Sequence, residues 1–226
     1  MMRNPSTRES RADDPHGAQQ LVRAGVPLER ARAAFVMVHG RGASAESILT
    51  MVPALSLPSE NVAFVAPQAS GGTWYPYGFM SPIPQNEPGI SSGMRAIMRA
   101  VDTITAAGIP HERIIVLGFS QGACLASEYV ARHARRYGGL AALSGGLIGP
   151  DDTPRDYTGT LDGTPCFFGC SDVDGHIPAT RVRESADVLQ RIGGDVTVRL
   201  YPGMGHMVNE DEIASVRAML ATLLAH

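Results

Sequence analysis

The sequence contains no lysine, since all 19 cationic side chains among its 226 residues are arginines. This absence excludes a Schiff-base lysine, the phosphate-binding lysine of a P-loop and a Ser-Lys dyad. The net charge of −3 provides no basic surface for nucleic acid or for an anionic membrane. Neither nucleic acid nor a membrane surface is therefore an expected partner.

Cysteine is also scarce, and long apolar runs are missing. Cys124, Cys166 and Cys170 are odd in number and form no CxxC pair, so neither a disulfide framework nor a zinc site is indicated. Residues 1–17 carry no apolar core of a secretory signal, and no run approaches the length of a membrane helix. We therefore expect a soluble, cytoplasmic protein without membrane insertion and without a bound metal.

What is present is a regular alternation of apolar runs and helical patterns. The predicted strands cover residues 33–38, 62–66, 113–117, 140–143, 166–168 and 196–201, and the predicted helices cover 44–55, 89–107, 121–133, 178–192 and 210–224. This order predicts an α/β fold with a mostly parallel central sheet, helices on both faces and functional groups at the carboxyl ends of the strands. We expect a mobile arm at residues 1–18 and a single domain over residues 19–226. The irregular segments 68–88 and 150–165 remain to build a pocket, and neither carries the long amphipathic helix of a large lid.

A candidate nucleophile lies where the third of these strands meets a helix. Gly118-Phe119-Ser120-Gln121-Gly122 matches G-x-S-x-G, with the strand before it and a helical pattern after it. This strand-turn-helix context is what a nucleophile elbow requires, because the turn exposes the serine hydroxyl beside a helix N-terminus. The alternative is that Ser120 only caps the helix.

A serine nucleophile needs a base and an orienting carboxylate. His206 follows the last strand in a glycine-rich loop, late in the chain, where the order Ser, then acid, then His places the base. The segment between the two offers Asp172 and Asp174, and chain order does not separate them. The one that is not the acid is expected to stabilise the turn.

An oxyanion hole is predicted from backbone N–H groups. The segment Val38-His39-Gly40-Arg41-Gly42 follows the first predicted strand and resembles the loop that donates one N–H, for which we select Arg41. The second donor is the N–H of Gln121, directly after the nucleophile. His39 is interpreted as a loop brace, since the triad requires no second base.

Six motifs together resemble the phospholipase/carboxylesterase family of α/β-hydrolases, which includes the acyl-protein thioesterases. They are HGRGAS at 39–44, PQASGGTWYP at 67–76, NEPG at 86–89, GFSQGA at 118–123, DGHIP at 174–178 and GMGH at 203–206. The resemblance implies an α/β-hydrolase fold without a large lid, hydrolysis of carboxylic esters without a cofactor, Asp174 as the acid, and Arg41 and Gln121 as the oxyanion donors. Gly175 stands where the family usually has proline.

Two departures bear on the substrate, a small-molecule ester. Thioesterase relatives usually carry an apolar residue at the position of Arg41, and Trp74-Tyr75-Pro76 also differs from theirs. The resemblance therefore implies short- to medium-chain or aromatic esters, with a lysophospholipase or acyl-protein thioesterase as the alternative. The sequence leaves a homodimer open.

Other assignments remain open at this stage. Trp74, Tyr75, Phe79 and Met80, together with Met207 beside the base, either line the substrate pocket or simply pack on the domain. Residues 40–45 also fit the G-x-G-x-x-A pattern of a dinucleotide-binding loop, but no acidic residue follows the next strand to hold a ribose. A non-catalytic binding protein on this fold is the third alternative.

Overall fold

The computed structural model describes residues 13–55 and 61–225. Seven strands form one sheet in the order β1-β3-β2-β4-β5-β6-β7, parallel throughout except for the antiparallel pairing of β1 with β3. The strands are β1 Leu21–Gly25, β2 Ala33–Val38, β3 Val62–Pro67, β4 Ile114–Phe119, β5 Gly139–Leu143, β6 Pro165–Ser171 and β7 Asp195–Tyr201. The first strand is an addition to the prediction.

Helices cover both faces of this sheet. They are α1 Ala45–Leu49, α2 Val52–Leu55, α3 Ile83–Asn86, α4 Gly89–Ala106, α5 Gln121–Arg132, α6 Ala179–Arg191 and α7 Glu210–Ala225. The predicted helix 44–55 is divided in two, because Pro53 has no N–H with which to extend α1 into α2.

Two apolar clusters, one on each face, hold the helices against the strands. One cluster joins α4, α5 and α6 to side chains such as Val36, and the other joins α1, α2 and α7 to side chains such as Phe35. Successive residues of a strand point to opposite faces, so a strand buried on both sides must be apolar at every position. Every residue of β2 and β3 is buried accordingly.

Only the end of the arm expected at residues 1–18 lies within the part of the chain that the structure describes. Residues 1–12 lie outside the described residues, whereas residues 13–18 pack on the domain. His16 is buried, its Nδ1 accepts from Ser70 N–H at 3.0 Å, and its Nε2–H donates to the Trp74 carbonyl at 2.9 Å. Burial lowers the pKa of His16, so this neutral side chain anchors the segment.

The connections at the carboxyl ends of the strands are mostly irregular. In the described part of the chain, α3 with four residues is the longest helix between β3 and α4, and the segment between β5 and β6 contains no helix. No described helix has the length and apolar character needed to cross a membrane. Among the described residues, irregular segments rather than a helical lid surround the end of the sheet where the predicted site residues lie.

Candidate active site

Ser120 lies between β4 and α5 in a backbone conformation that is strained for a non-glycine residue, with φ 55° and ψ −122°. Its side chain makes no capping hydrogen bond to α5, so the interpretation as a helix cap is wrong. Gly118 and Gly122 make the turn possible, because a Cβ on either would overlap backbone atoms. Gly118 lies against Gly122 and Ala123, and Gly122 lies against the carbonyls of Val38 and His39.

The three residues predicted as a triad are joined by hydrogen bonds. His206 Nε2 lies 2.8 Å from Ser120 Oγ, and His206 Nδ1 lies 2.7 Å from Asp174 Oδ2. They come from the carboxyl ends of β4, β6 and β7, which meet at one edge of the sheet. The imidazole also packs against the rings of Phe119 and His176, with centroids 5.1 and 4.8 Å away. This arrangement can pass a proton from the hydroxyl to the imidazole.

Asp174 is fixed as an anion that faces the imidazole. Its side chain is fully buried, and its second oxygen, Oδ1, accepts from the N–H groups of His176 at 2.8 Å and Ile177 at 3.1 Å. Burial raises the pKa of Asp174, but the bonds from His206 and from these two N–H groups outweigh burial and hold the pKa below its ordinary value.

Asp172 has a different role in the structure. Its side chain is exposed, and Oδ1 accepts from the Gly203 N–H at 2.9 Å, which ties the loop after β6 to the loop that carries His206. It makes no hydrogen bond to the imidazole. Of the two aspartates, Asp174 is therefore the one placed to orient His206.

The backbone N–H groups of Arg41 and Gln121 remain available for a ligand. Neither donates to an acceptor within residues 13–55 and 61–225, and both residues line the cavity that contains Ser120. Gln121 is the first residue of α5, so the helix dipole adds positive potential there. These two groups can stabilise an oxyanion formed beside Ser120.

His39 serves as a brace, as predicted. It is buried, its Nδ1–H donates to the Gly40 carbonyl at 2.8 Å, and its Nε2 accepts from Ala69 N–H at 3.1 Å. Both ring nitrogens are thus occupied, and burial lowers the pKa of His39. The dinucleotide alternative also loses support, because Gly42 N–H and Ala45 N–H donate within the protein.

The cavity at Ser120 measures about 290 Å³ and is bordered by apolar as well as polar side chains. Tyr75 and Phe79 line it, as one of the two interpretations expected. Trp74, Met80 and Met207 do not. Trp74 is fully buried with its Nε1–H bonded to the His39 carbonyl, Met80 packs against the core, and Met207 is 54% exposed.

Four further lining residues were not predicted from the sequence, namely Gly78, Cys124, His176 and Ile177. Cys124 carries a usable signal, since it stands four residues after Ser120 and so on the same face of α5. Burial raises its pKa to about 12, so the thiol is not a competing nucleophile. His176 and Ile177 follow Asp174 in a turn, whose direction the sequence pattern does not give.

Glu212 stabilises the start of the helix that follows the His206 loop. Its Oε2 accepts from Asn209 N–H and its own N–H donates to Asn209 Oδ1, both at 2.8 Å. Its other oxygen is buried against Gly169 and has no hydrogen-bond partner in the described part of the chain. Burial is the main cause that raises the pKa of Glu212 to about 7.

Because the pKa of Glu212 is raised in the folded chain, we predict that the free energy of unfolding depends on pH through this group. The unfolded chain releases the Glu212 proton near pH 4.5, whereas the folded chain holds it to about pH 7. The contribution of this proton to stability is therefore complete at low pH and is lost as the pH rises from about 4.5 to 7, by on the order of 3 kcal/mol.

Glu212→Gln should remove that loss. We expect the free energy of unfolding of the variant, relative to the unsubstituted protein, to increase between pH 5 and pH 8 in urea titrations. Glu210→Gln, an exposed change on the same helical turn, is the control and should leave the pH dependence as it is. A difference between Glu212→Gln and the unsubstituted protein that stays constant with pH would contradict the assignment.

Comparison with known proteins agrees with this picture of the fold and the site. The seven-stranded sheet with its hydroxyl, imidazole and carboxylate at the strand ends defines an α/β-hydrolase, as predicted. Residues 24–224 match the family model described as phospholipase/carboxylesterase. The chain belongs to the phospholipase/carboxylesterase family, and the predicted family is confirmed. The family and its named members support a carboxylic ester hydrolase.

Individual relatives cover the chain to different extents. A phospholipase/carboxylesterase crystal structure from Dyadobacter fermentans is 42% identical with a TM-score of 0.86, covering 90% of this chain and 97% of that one. Acyl-protein thioesterase 1 of Debaryomyces hansenii is 25% identical, over 90% of this chain and 96% of its own. A probable carboxylesterase of Oryza sativa subsp. japonica is 27% identical over 61% of this chain, and the match spans only 52% of that protein.

Proposed function

We propose that the protein is a serine carboxylesterase that hydrolyses short- to medium-chain or aromatic carboxylic esters through an acyl-enzyme. The observation that carries the proposal is a serine hydroxyl 2.8 Å from an imidazole, at the edge of a cavity of about 290 Å³. Three free, buried cysteines fit the reducing, cytoplasmic setting expected from the sequence.

In the proposed acylation step, Ser120 Oγ attacks the ester carbonyl while its proton passes to His206 Nε2. The charge that develops on the carbonyl oxygen is stabilised by the N–H groups of Arg41 and Gln121. Asp174 accepts from Nδ1–H, which orients the ring and stabilises the imidazolium. His206 then gives its proton to the departing alcohol oxygen, and the acyl group remains on Ser120.

In the proposed deacylation step, water takes the place of the alcohol. His206 removes a proton from this water, which attacks the acyl carbonyl, and the tetrahedral oxyanion lies again against the two N–H groups. Collapse of this intermediate returns the proton to Ser120 Oγ and releases the carboxylic acid. Every step uses protein groups and water alone.

The proposed preference for short acyl groups follows from the size of the cavity. Its volume lies at the lower end of the roughly 300–1,000 Å³ found for ligand pockets. Tyr75, Phe79 and Cys124 are buried residues on its border, which limits its depth. Each methylene left outside the cavity forgoes about 0.8 kcal/mol of transfer free energy.

We therefore expect kcat/KM for p-nitrophenyl esters to be highest between acetyl and hexanoyl and to be lower for dodecanoyl and palmitoyl. The measurement is a series of acyl lengths below the micellar limit, with an aromatic ester, a thioester and a lysophospholipid assayed beside it.

A second candidate function is hydrolysis of long-chain acyl thioesters or lysophospholipids. It is favoured by the similarity to acyl-protein thioesterase 1 over 90% of this chain. The series separates the two candidates. A kcat/KM that rises steadily to palmitoyl, or that is higher for the thioester, would contradict the short-chain proposal and support the second one.

A further inference from the structure

The wall of the Ser120 cavity is formed by an irregular segment, Trp74–Phe79, which we call the wall segment. Tyr75 and Phe79 line the cavity, and the segment belongs to no helix or strand. The segment is buried at Trp74, Tyr75 and Phe79 and exposed at residues 76–78, so it contains buried N–H and C=O groups that require partners. Its conformation therefore depends on groups that come from outside the segment.

Gln121 supplies two of these partners. The residue is 6% exposed, its Oε1 accepts from Trp74 N–H at 2.9 Å, and its Nε2–H donates to the Tyr75 carbonyl at 2.8 Å. The side-chain amide of Gln121 therefore makes the two backbone hydrogen bonds that a neighbouring strand would make in a sheet. It attaches the start of the wall segment to the first residue of α5.

Arg41 supplies the next two. Its guanidinium donates to the carbonyls of Pro76 at 2.9 Å and Tyr77 at 2.5 Å, and its Cζ lies 6.0 Å from the centroid of the Tyr75 ring. The planar guanidinium presents several donors in a fixed fork, which suits two successive carbonyls, whereas an ammonium group is a single point donor. The arginine that departs from the usual apolar residue of thioesterase relatives is thus bound to the wall segment.

The end of the wall segment is held independently of these two residues. Asn86 accepts from Tyr77 N–H and donates to the Gly78 carbonyl, both at 2.9 Å, and Gly149 N–H donates to the Phe79 carbonyl at 2.7 Å. Loss of Arg41 or Gln121 would therefore release the part around Tyr75 while the part around Phe79 keeps its bonds.

Resting on the proposed function, we infer that the side chains of Arg41 and Gln121 are positioning residues that couple the wall segment to the oxyanion hole. Each of the two residues offers its backbone N–H to the reacting carbonyl and its side chain to the wall. The acyl group and the oxyanion are consequently located by the same two residues. Arg41 thereby also determines specificity, because it fixes the position of the Tyr75 ring in the cavity.

The test compares Arg41→Met, which keeps an unbranched stem and removes the guanidinium donors, with Arg41→Lys, which keeps the charge. For Arg41→Met we expect kcat on the acetyl ester to fall about tenfold, since an ångström of misplacement can cost up to 100-fold. The ratio of kcat/KM for the hexanoyl ester to that for the dodecanoyl ester should fall about fivefold, because the wall segment is no longer held in place. Arg41→Lys should recover part of the kcat, because it can reach one of the two carbonyls.

The single tryptophan of the chain gives a readout that does not depend on activity. Trp74 is fully buried and lies within the wall segment, so acrylamide should quench its fluorescence weakly. We expect stronger quenching in Arg41→Met and in Gln121→Met. Arg183→Met, an exposed arginine on α6, is the control for loss of a charge and should change neither quenching nor kinetics.

The outcomes separate this inference from the proposed function. An unsubstituted protein without esterase activity, together with increased quenching in the variants, would overturn the proposed function and leave the coupling of wall and loop supported. A folded Arg41→Met with the quenching, kcat and chain-length preference of Arg183→Met would overturn the inference. Should Arg41→Met fail to fold, Arg41→Lys and Gln121→Met provide the same comparison.

Discussion

Ser120→Ala is expected to lower kcat for p-nitrophenyl acetate by roughly 10⁵- to 10⁶-fold and to abolish labelling by a fluorophosphonate. The hydroxyl lies 2.8 Å from His206 Nε2, and no other side chain in the described part of the structure makes a hydrogen bond to that nitrogen. Without it no acyl-enzyme forms, and only the oxyanion donors and substrate binding remain to accelerate the reaction. Steady-state kinetics and gel-based labelling measure the two effects.

The chain offers a matched control for this substitution. Ser144 lies directly after β5, as Ser120 lies after β4, and it too is a buried or half-buried serine with positive φ, 52° against 55°. Ser144→Ala imposes the same backbone strain but removes no group from the proposed triad. It should keep its activity and its labelling. Undiminished labelling of folded Ser120→Ala, judged by circular dichroism, would refute the assignment of the nucleophile.

The second large effect is expected at Asp174. In Asp174→Asn the two N–H groups of His176 and Ile177, which now donate to Oδ1, select the carbonyl oxygen of the new amide. Its NH₂ group then faces His206 Nδ1 and donates to it. The imidazole proton is driven to Nε2, which can no longer accept from Ser120. We expect kcat to fall by about 10⁴-fold while KM changes little.

Asp172→Asn is the control, two residues away on the same loop. An asparagine oxygen can still accept from Gly203 N–H, so the bond that joins the two loops survives. We expect kcat within the same order of magnitude as that of the unsubstituted protein. Equal losses in the two variants, or a larger loss for Asp172→Asn, would show that the orienting carboxylate has been assigned incorrectly.

Much of the sheet could be predicted from the sequence, because strands that are buried on both faces appear as continuous apolar runs. Strands such as β2 and β4 must be apolar at every position, and their order along the chain specifies a parallel sheet. The G-x-S-x-G motif is equally readable, since Gly118 and Gly122 are required by backbone contacts that a Cβ would not permit. A position where only glycine fits can therefore be recognised from the sequence.

Other features depend on contacts between distant residues and were not predictable. The edge strand β1 pairs on one side only and has exposed residues, so its sequence resembles that of a loop. Trp74 was a candidate for the pocket, yet it is enclosed by His16 and His39, which lie 58 and 35 residues earlier in the chain. Chain order does not separate Asp172 from Asp174, because it does not give the direction of their side chains, and only the resemblance to the family implied Asp174.

The way in which the wall segment is held bears on how such an enzyme could change its substrate. Its attachments run through backbone N–H and C=O groups, which every residue except proline, with no N–H, provides in the same form. Side chains at positions such as Tyr77, which is 56% exposed, and Phe79 can therefore vary without loss of these bonds. New acyl preferences could thus arise by substitution within the segment while the reacting groups stay unaltered, which makes it the natural place for diversification and for directed evolution.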